Sequence, residues 1–268
     1  MKPPPRSRGA SSPRRSNGAA VSLPRALSKL GFCSRTQAET LIAEGRVRVD
    51  GRVARNIATR VDPGRARISV DGDPVVAERK VYLMLNKPRG LVTTRDDPHE
   101  RATVYECLEG HDLPFVAPVG RLDKASEGLL LMTNDTRWAQ RVLDPVSNVE
   151  KIYHVQIDRL PVEGMLERLQ AGMVLDGERL VAKSASLLRA GIRNAWLEII
   201  LSEGRNRQIR RLLGAHGADV LRLVRVDVGG VQLGDLPRGA VRHLTPAEKA
   251  RLDLPVRTAP DLLRPLRG

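Results

Sequence analysis

Gly120-Arg121-Leu122-Asp123-Lys124-Ala125-Ser126-Glu127-Gly128-Leu129-Leu130-Leu131-Met132-Thr133-Asn134-Asp135 is the stretch on which the reading of this chain turns. It sets a polar, glycine-bounded loop directly before a continuous apolar run, residues 129–133, that reads as a buried strand. A second strand candidate, residues 115–119, precedes the loop. Asp123 is therefore held between two rigid flanks, and catalytic groups concentrate on loops carried by such scaffolds. On spacing alone, the same carboxylate could equally cap a turn or pair with Arg121.

Outward from this loop the pattern stays rich in strands. Residues 81–85 form an apolar run expected of a buried strand, and Asn86-Lys87-Pro88-Arg89-Gly90 reads as the turn that ends it. Residues 152–157, 196–201 and 221–228 are further strand candidates, whereas 137–143, 162–170 and 206–215 carry helical patterns. Thr245-Pro246-Ala247-Glu248 is a capping box with proline at the first helical position. Many strands with few helices, and no regular alternation, argue for an α+β fold over a doubly wound parallel sheet.

The first seventy residues read differently. Residues 1–20 are Pro, Ser, Gly and Arg without hydrophobic period, the composition of a disordered basic tail. Leu23, Leu27 and Leu30 then recur at helical spacing, with Pro24 suited to the first turn and Gly31 to the stop. Ser34 with Gln37 makes a capping box for a second helix, whose buried face is Ala38, Leu41 and Ile42. Arg46-Val47-Arg48-Val49 alternates into the tight turn Asp50-Gly51, and Ala66, Ile68 and Val70 alternate again. Such a module can present Arg25, Lys29, Arg35, Arg46 and Arg48 to a phosphate backbone. Residues 72–80 are polar and read as a linker, so the organisation expected is tail 1–20, small αβ domain 22–71, linker 72–80, main domain 81–255 and tail 256–268.

Charge follows the same division. Residues 1–60 hold thirteen Lys or Arg against three acids and so supply about +10 of the formal +14. That asymmetry reads as a nucleic-acid-binding end on a nearly neutral body. Cys33 and Cys107 are far apart, which argues against a disulfide framework and for a reducing compartment. The five histidines are scattered without metal-ligand spacing, so no metal is expected. No apolar run approaches a bilayer span and no signal-peptide core opens the chain, so a cytoplasmic protein without a membrane partner is expected.

Dinucleotide, P-loop and serine-hydrolase motifs are absent. A second polar cluster remains, Glu203-Gly204-Arg205-Asn206-Arg207-Gln208-Ile209-Arg210-Arg211, in which Arg207 and Arg210 fall three apart on one helical face. Arginines opening a helix invite phosphates or a carboxylate, although a solvated face is the commoner reason for such a run.

Two resemblances organise these observations. Ser34-Arg35 at a helix start, followed by Ala43-Glu44-Gly45-Arg46-Val47-Arg48-Val49-Asp50-Gly51, resembles the alpha-L RNA-binding domain first described in a small-subunit ribosomal protein. Gly120–Asp123, Ser126–Asp135, Lys151-Ile152-Tyr153, Glu203–Arg210 and Leu236-Pro237-Arg238-Gly239 resemble, in order, the bacterial ribosomal-RNA pseudouridine synthases that carry such a domain. Thr136 departs from the glycine usual in that family after Asn-Asp, at what reads as a turn beyond the loop.

The resemblance implies a mixed, mainly antiparallel catalytic sheet and no cofactor. It implies Asp123 as the essential carboxylate, Arg210 as its positive partner, and Tyr153 stacked on the target base. Arg121 would fill the space left by a flipped-out uridine. Arg25, Lys29, Ser34, Arg35, Arg46, Arg48 and Arg207 are expected to contact RNA. The implied partner is ribosomal RNA, free or in a pre-ribosomal particle, with large-subunit RNA favoured over small-subunit RNA, and the protein is expected to act as a monomer. A non-catalytic RNA-binding protein of the same fold and a glycosidase using Asp123 with Glu127 are the rival classes. The intact set Asp123, Tyr153 and Arg210 speaks against the first, and the basic first domain against the second.

Overall fold

The computed structural model describes residues 20–95 and 97–253. The expected tails fall outside these residues, apart from Ala20. The chain divides into two compact units, Met1–Ala77 and Glu78–Gly268.

In the first unit β1 (Val21–Ser22) leads into α1 (Leu23–Leu30), and α2 (Arg35–Ala43) follows. Gly31 closes α1 in the left-handed conformation, φ 83°. The capping box of α2 is formed as the spacing predicts: the Gln37 N–H donates to Ser34 Oγ at 3.1 Å, and the Ser34 N–H donates to Gln37 Oε1 at 3.2 Å. Strands β2 (Val47–Val49), β3 (Arg52–Val53), β4 (Arg60–Val61), β5 (Ile68–Val70) and β6 (Asp73–Pro74) complete the unit. The sheet order is β3-β2-β5-β6, with β1 paired to β4 apart from it. Asp50 and Gly51 both take positive φ, 48° and 84°, as a two-residue hairpin turn demands. Leu23, Leu27, Ala38, Ile42, Val47 and Val70 form one apolar core between helices and sheet. Asp73 and Pro74, read from composition as linker, pair with β5. Two residues are too short a run to register as a strand in sequence.

The second unit runs through β7 (Tyr82–Lys87), β8 (Ala117–Pro118), β9 (Glu127–Thr133), α3 (Thr136–Leu143) and β10 (Lys151–Ile157). It continues with α4 (Met165–Ala171), β11 (Met173–Leu175), β12 (Glu178–Leu180), β13 (Ser184–Ala190), β14 (Ala195–Leu201) and α5 (Gln208–Ala215). β15 (Val220–Val228), β16 (Val231–Gln232), β17 (Val241–His243) and α6 (Pro246–Asp253) close it. Among the described residues nine strands join in one sheet, ordered β13-β14-β10-β15-β9-β7-β17, with β16 on β15 and β8 on β9. The pairings are antiparallel except β15 with β9. The fold is the α+β class expected, with a mixed, mainly antiparallel sheet.

Alternation along the central strands sends side chains to two cores. Leu85, Leu130, Val155 and Leu197 pack with Met165 and Leu169 of α4 and with Leu212 and Leu213 of α5. Met84, Leu129 and Leu131 face the other way, onto Trp138 and Val142 of α3 and Leu252 of α6. At the parallel contact a side chain on Gly128 (φ 101°) would lie 2.3 Å from the Arg225 carbonyl oxygen. Only glycine lets β9 approach β15 there.

Several boundaries differ from the sequence reading. β7 runs through Asn86 and Lys87, where a turn was expected, because Lys87 is buried in phase with Leu83 and Leu85. The strand expected over 115–119 shrinks to Ala117–Pro118, since proline offers no N–H for a longer ladder. α4 begins at Met165 after a left-handed Gly164, and α5 at Gln208 after a left-handed Arg207. Thr136 lies in the first turn of α3, not in a free turn, and Asp135 caps that helix by accepting from the Arg137 and Trp138 N–H groups. β11, β12 and β13 were not expected; none has a clear alternating pattern, and much of β13 is exposed.

Candidate active site

The loop 120–126 joins β8 to β9 at the rim of a cleft of about 640 Å³ in the second unit. Three observations show how the loop is fixed. Ser126 N–H closes a turn onto the Asp123 carbonyl at 2.9 Å. The Thr93 hydroxyl donates to the Leu122 carbonyl at 2.7 Å and accepts from the Leu122 N–H at 3.3 Å. From beneath, the fully buried Lys87 ammonium donates to the carbonyls of Pro88, Asp123 and Ser126 at 3.1, 3.2 and 2.8 Å. Buried backbone acceptors need partners, and here one side chain satisfies two in the same loop.

Burial pushes the Lys87 pKa down to about 8, against the pull of the Asp123 and Glu127 charges. Spacing gave no warning of Lys87, which ends a run read as strand and turn. Its usable signal was that a lysine continued the Leu83, Leu85 alternation.

Asp123 lines the cleft with its side chain one-quarter exposed. The cation directly beside it is Arg207, with Nη1 3.9 Å from Oδ2. Arg210, implied by resemblance as the partner, is held instead by backbone: Nη1 donates to the Val220 carbonyl and Nη2 to the Ala125 carbonyl, both at 3.1 Å. Burial, with the Arg207 and Arg89 charges, pushes the Arg210 pKa down, while Asp123 pulls it up. The two groups thus interact electrostatically without a direct ion pair. Arg207 owes its position to a left-handed backbone, φ 47° ψ 32°, at the start of α5. The two arginines reach the cleft from a cap and a helix, rather than from one helical face.

Tyr153, on β10, contributes a nearly buried ring to the cleft, and Arg121 lies on the loop with an exposed side chain. Asp123, Tyr153, Arg210, Arg121 and Arg207 therefore converge on one cavity from three separate segments of the sequence. Lys151 and Arg225 join them there; Lys151 stood in the matching segment beside Tyr153 without an assigned role, and Arg225 was not singled out in the sequence. Arg225 is buried, its Nε donating to the Leu129 carbonyl at 2.7 Å, and its charge adds to burial in pushing the Lys151 pKa down. Cations thus outnumber the lining acids Asp123 and Glu203, which suits a polyanion.

Glu127 does not share this site. It is buried in a two-pronged pair with Arg222, at 2.9 and 3.1 Å. Burial would raise its pKa, but the Arg222 bonds and charge win and hold it below the usual carboxylate value. The Asp123–Glu127 pair on which a glycosidase reading rests is therefore not formed at the cleft. Among the described residues no three His, Cys, Asp or Glu side chains converge in a way that could hold a metal ion.

The remaining expected contacts belong to the first unit. Arg25 and Arg35 are exposed. Ser34 spends its hydroxyl on the α2 cap. Arg46 is paired with Asp71 at 2.6 Å and Glu44 at 3.0 Å, and Arg48 donates to the Gly51 carbonyl at 3.2 Å. Lys29 is partly buried in the last turn of α1.

Comparison with known proteins agrees with this geometry. Residues 81–215 match the RNA pseudouridylate synthase family model, and residues 21–66 match the S4 domain. An RNA pseudouridine synthase of Aquifex aeolicus (strain VF5) is 39% identical over 228 residues, covering 84% of this chain and 91% of that protein. The ribosomal large subunit pseudouridine synthase B of Bacillus subtilis (strain 168) is 34% identical over 233 residues, covering 86% and 94%. A crystal structure of a pseudouridylate synthase superposes with a TM-score of 0.61 at 29% identity, covering 87% of this chain and 99% of the other. With cleft, sheet and both sequence matches in agreement, the chain belongs to the RNA pseudouridine synthase family, as an isomerase acting on RNA with an S4 domain at its N-terminal end.

Proposed function

We propose that this protein converts a uridine of ribosomal RNA to pseudouridine, with Asp123 as the essential carboxylate. The observation that carries the reading is the convergence of Asp123, Tyr153, Arg207 and Arg210 on one basic cleft. The reaction is an isomerisation: the N1–C1′ bond breaks, the base turns, C5 bonds to C1′, and the proton lost from C5 is balanced by one gained at N1. No electron or group donor enters this balance. Covalent attack by Asp123 and removal of a ribose proton both require its ionised form. Arg207, 3.9 Å from the carboxylate, and Arg210, lining the same cleft, place positive charge around it.

A uridine in folded RNA reaches such a cavity only when flipped out, at a cost of a few kcal/mol. Arg121, exposed on the loop, occupies the vacated position, and the Tyr153 ring packs on the base. The S4 domain anchors the RNA, with the exposed Arg25 and Arg35 as its leading contacts and Lys29, Ser34, Arg46 and Arg48 as further ones. The name of the Bacillus subtilis relative supports large-subunit RNA as the substrate class, free or within a pre-ribosomal particle. The protein acts as a cytoplasmic monomer. Mapping pseudouridines in ribosomal RNA from cells lacking the gene tests the proposal: one site should lose its modification and regain it with the wild-type gene. An unchanged map would overturn it.

A further inference from the structure

The catalytic cleft uses one face of β10, β14 and β15. Their other face carries a second arrangement. Cross-strand register places Arg189 of β13 opposite Trp196 of β14, Trp196 opposite Gln156 of β10, and Gln156 opposite Arg222 of β15. Residues paired across antiparallel strands share a face, so these four form one row across the sheet. Both arginines lie over the Trp196 ring, with Cζ 5.1 Å (Arg189) and 5.6 Å (Arg222) from its centroid. The row borders a concavity of about 370 Å³, lined also by His154, Leu188 and Val224; every lining residue is on a strand.

The character of this face is specific. The protein has only two tryptophans; Trp138 is 1% exposed within the core, whereas Trp196 is partly exposed. The acids nearby are already engaged, Glu198 with His154 at 3.6 Å and Glu127 with Arg222. Arg222 is thus already matched by Glu127, and the cation this face leaves open is Arg189, exposed beside one accessible indole and in no ion pair among the described residues. Aromatic rings flanked by guanidinium groups stack bases, and the cations meet the phosphates between them. A protein partner of matching charge would have to be acidic, yet the substrate of this family is itself a polyanion with stackable bases.

We propose that the face of Arg189, Trp196 and Arg222 is a second RNA-contact surface, binding a single-stranded segment apart from the uridine held in the cleft. The inference rests on the RNA-modifying reading above and adds a contact to it. Intrinsic fluorescence tests it in the full-length protein, titrated with an oligouridylate of about ten nucleotides. Binding should quench the emission, and Trp196→Phe should abolish the quench. Arg189→Ala should weaken binding about three- to tenfold and lower the slope of log affinity against log salt by about one. That variant should still release tritium from a short hairpin substrate labelled at uridine C5. The proposal is overturned if saturating oligonucleotide leaves Trp196 emission unchanged, if Arg189→Ala leaves affinity and salt slope intact, or if polyglutamate quenches as strongly as RNA. A wild-type protein that is quenched but releases no tritium refutes the catalytic reading alone; one that releases tritium without quenching refutes this surface alone.

Discussion

In the first unit Arg25, Arg35, Arg46 and Arg48 all face solvent, whereas in the second Lys87, Arg210 and Arg225 are drawn in among backbone carbonyls around a cleft. The same charge does different work in the two settings. An exposed arginine acts at a distance, through a field that salt screens. A buried cation acts over one hydrogen bond, and its value lies in where it holds a neighbouring group. The small unit is built to attract and the large one to position, and the two roles should separate in experiment.

The sharpest separation should come from Asp123→Asn. It is expected to reduce tritium release from C5-labelled RNA to background while leaving RNA affinity nearly unchanged. Activity near wild type would end the assignment of Asp123. Lys87→Met comes next, because it releases two carbonyls of the same loop and that of Pro88. Here kcat should fall about ten- to a hundredfold with little change in KM, since the loss is one of positioning.

Lys87 also predicts a pH signature. Its pKa is about 8 in the folded protein against 10.5 as the ordinary value. Between those values the unfolded chain binds the additional proton, so this group's contribution to stability rises as pH increases through that window. Denaturant unfolding near pH 8 and near pH 10 should show wild type gaining on Lys87→Met; parallel curves would refute the buried ammonium.

Effects in the first unit should be milder and should show in binding. Removing residues 1–71 should weaken substrate RNA about tenfold or more at low salt and flatten the salt dependence. An unchanged slope would show that the anchor lies elsewhere. Smallest of all, Arg46→Ala should alter affinity by less than about twofold, because Glu44 and Asp71 already engage that guanidinium. A loss equal to that of Arg25→Ala or Arg35→Ala would mean that RNA displaces both acids.

Much of this was legible before any coordinates. Capping boxes at Ser34 and Thr245, the Asp50-Gly51 turn and the apolar run after Gly128 are local signals, and each formed where its residues predict. The polar segments that meet at the cleft were also visible, because the loop 120–126 and the cluster 203–211 interrupt apolar runs. What stayed hidden depends on distant partners. Lys87 looked like part of a turn, since nothing nearby shows that carbonyls of Asp123 and Ser126 await it. The choice of Arg207 over Arg210 beside Asp123 follows from a left-handed backbone at residue 207, which no propensity assigns to arginine. β13 lies at the sheet edge with its outer residues in solvent, so it carries no hydrophobic alternation to read.

The close approach at Gly128 bears on how the protein is made. β9 completes its pairing only against β15, and the bond from Arg225 to the Leu129 carbonyl spans 96 residues of chain. During synthesis the Asp123 loop therefore leaves the ribosome well before the strand and helix that frame it. Long-range pairing of this kind is slow to close and is completed late. The first unit, whose hairpins and helices are local, can fold while the rest is still emerging. A nascent chain would thus be able to bind RNA before it is able to modify it.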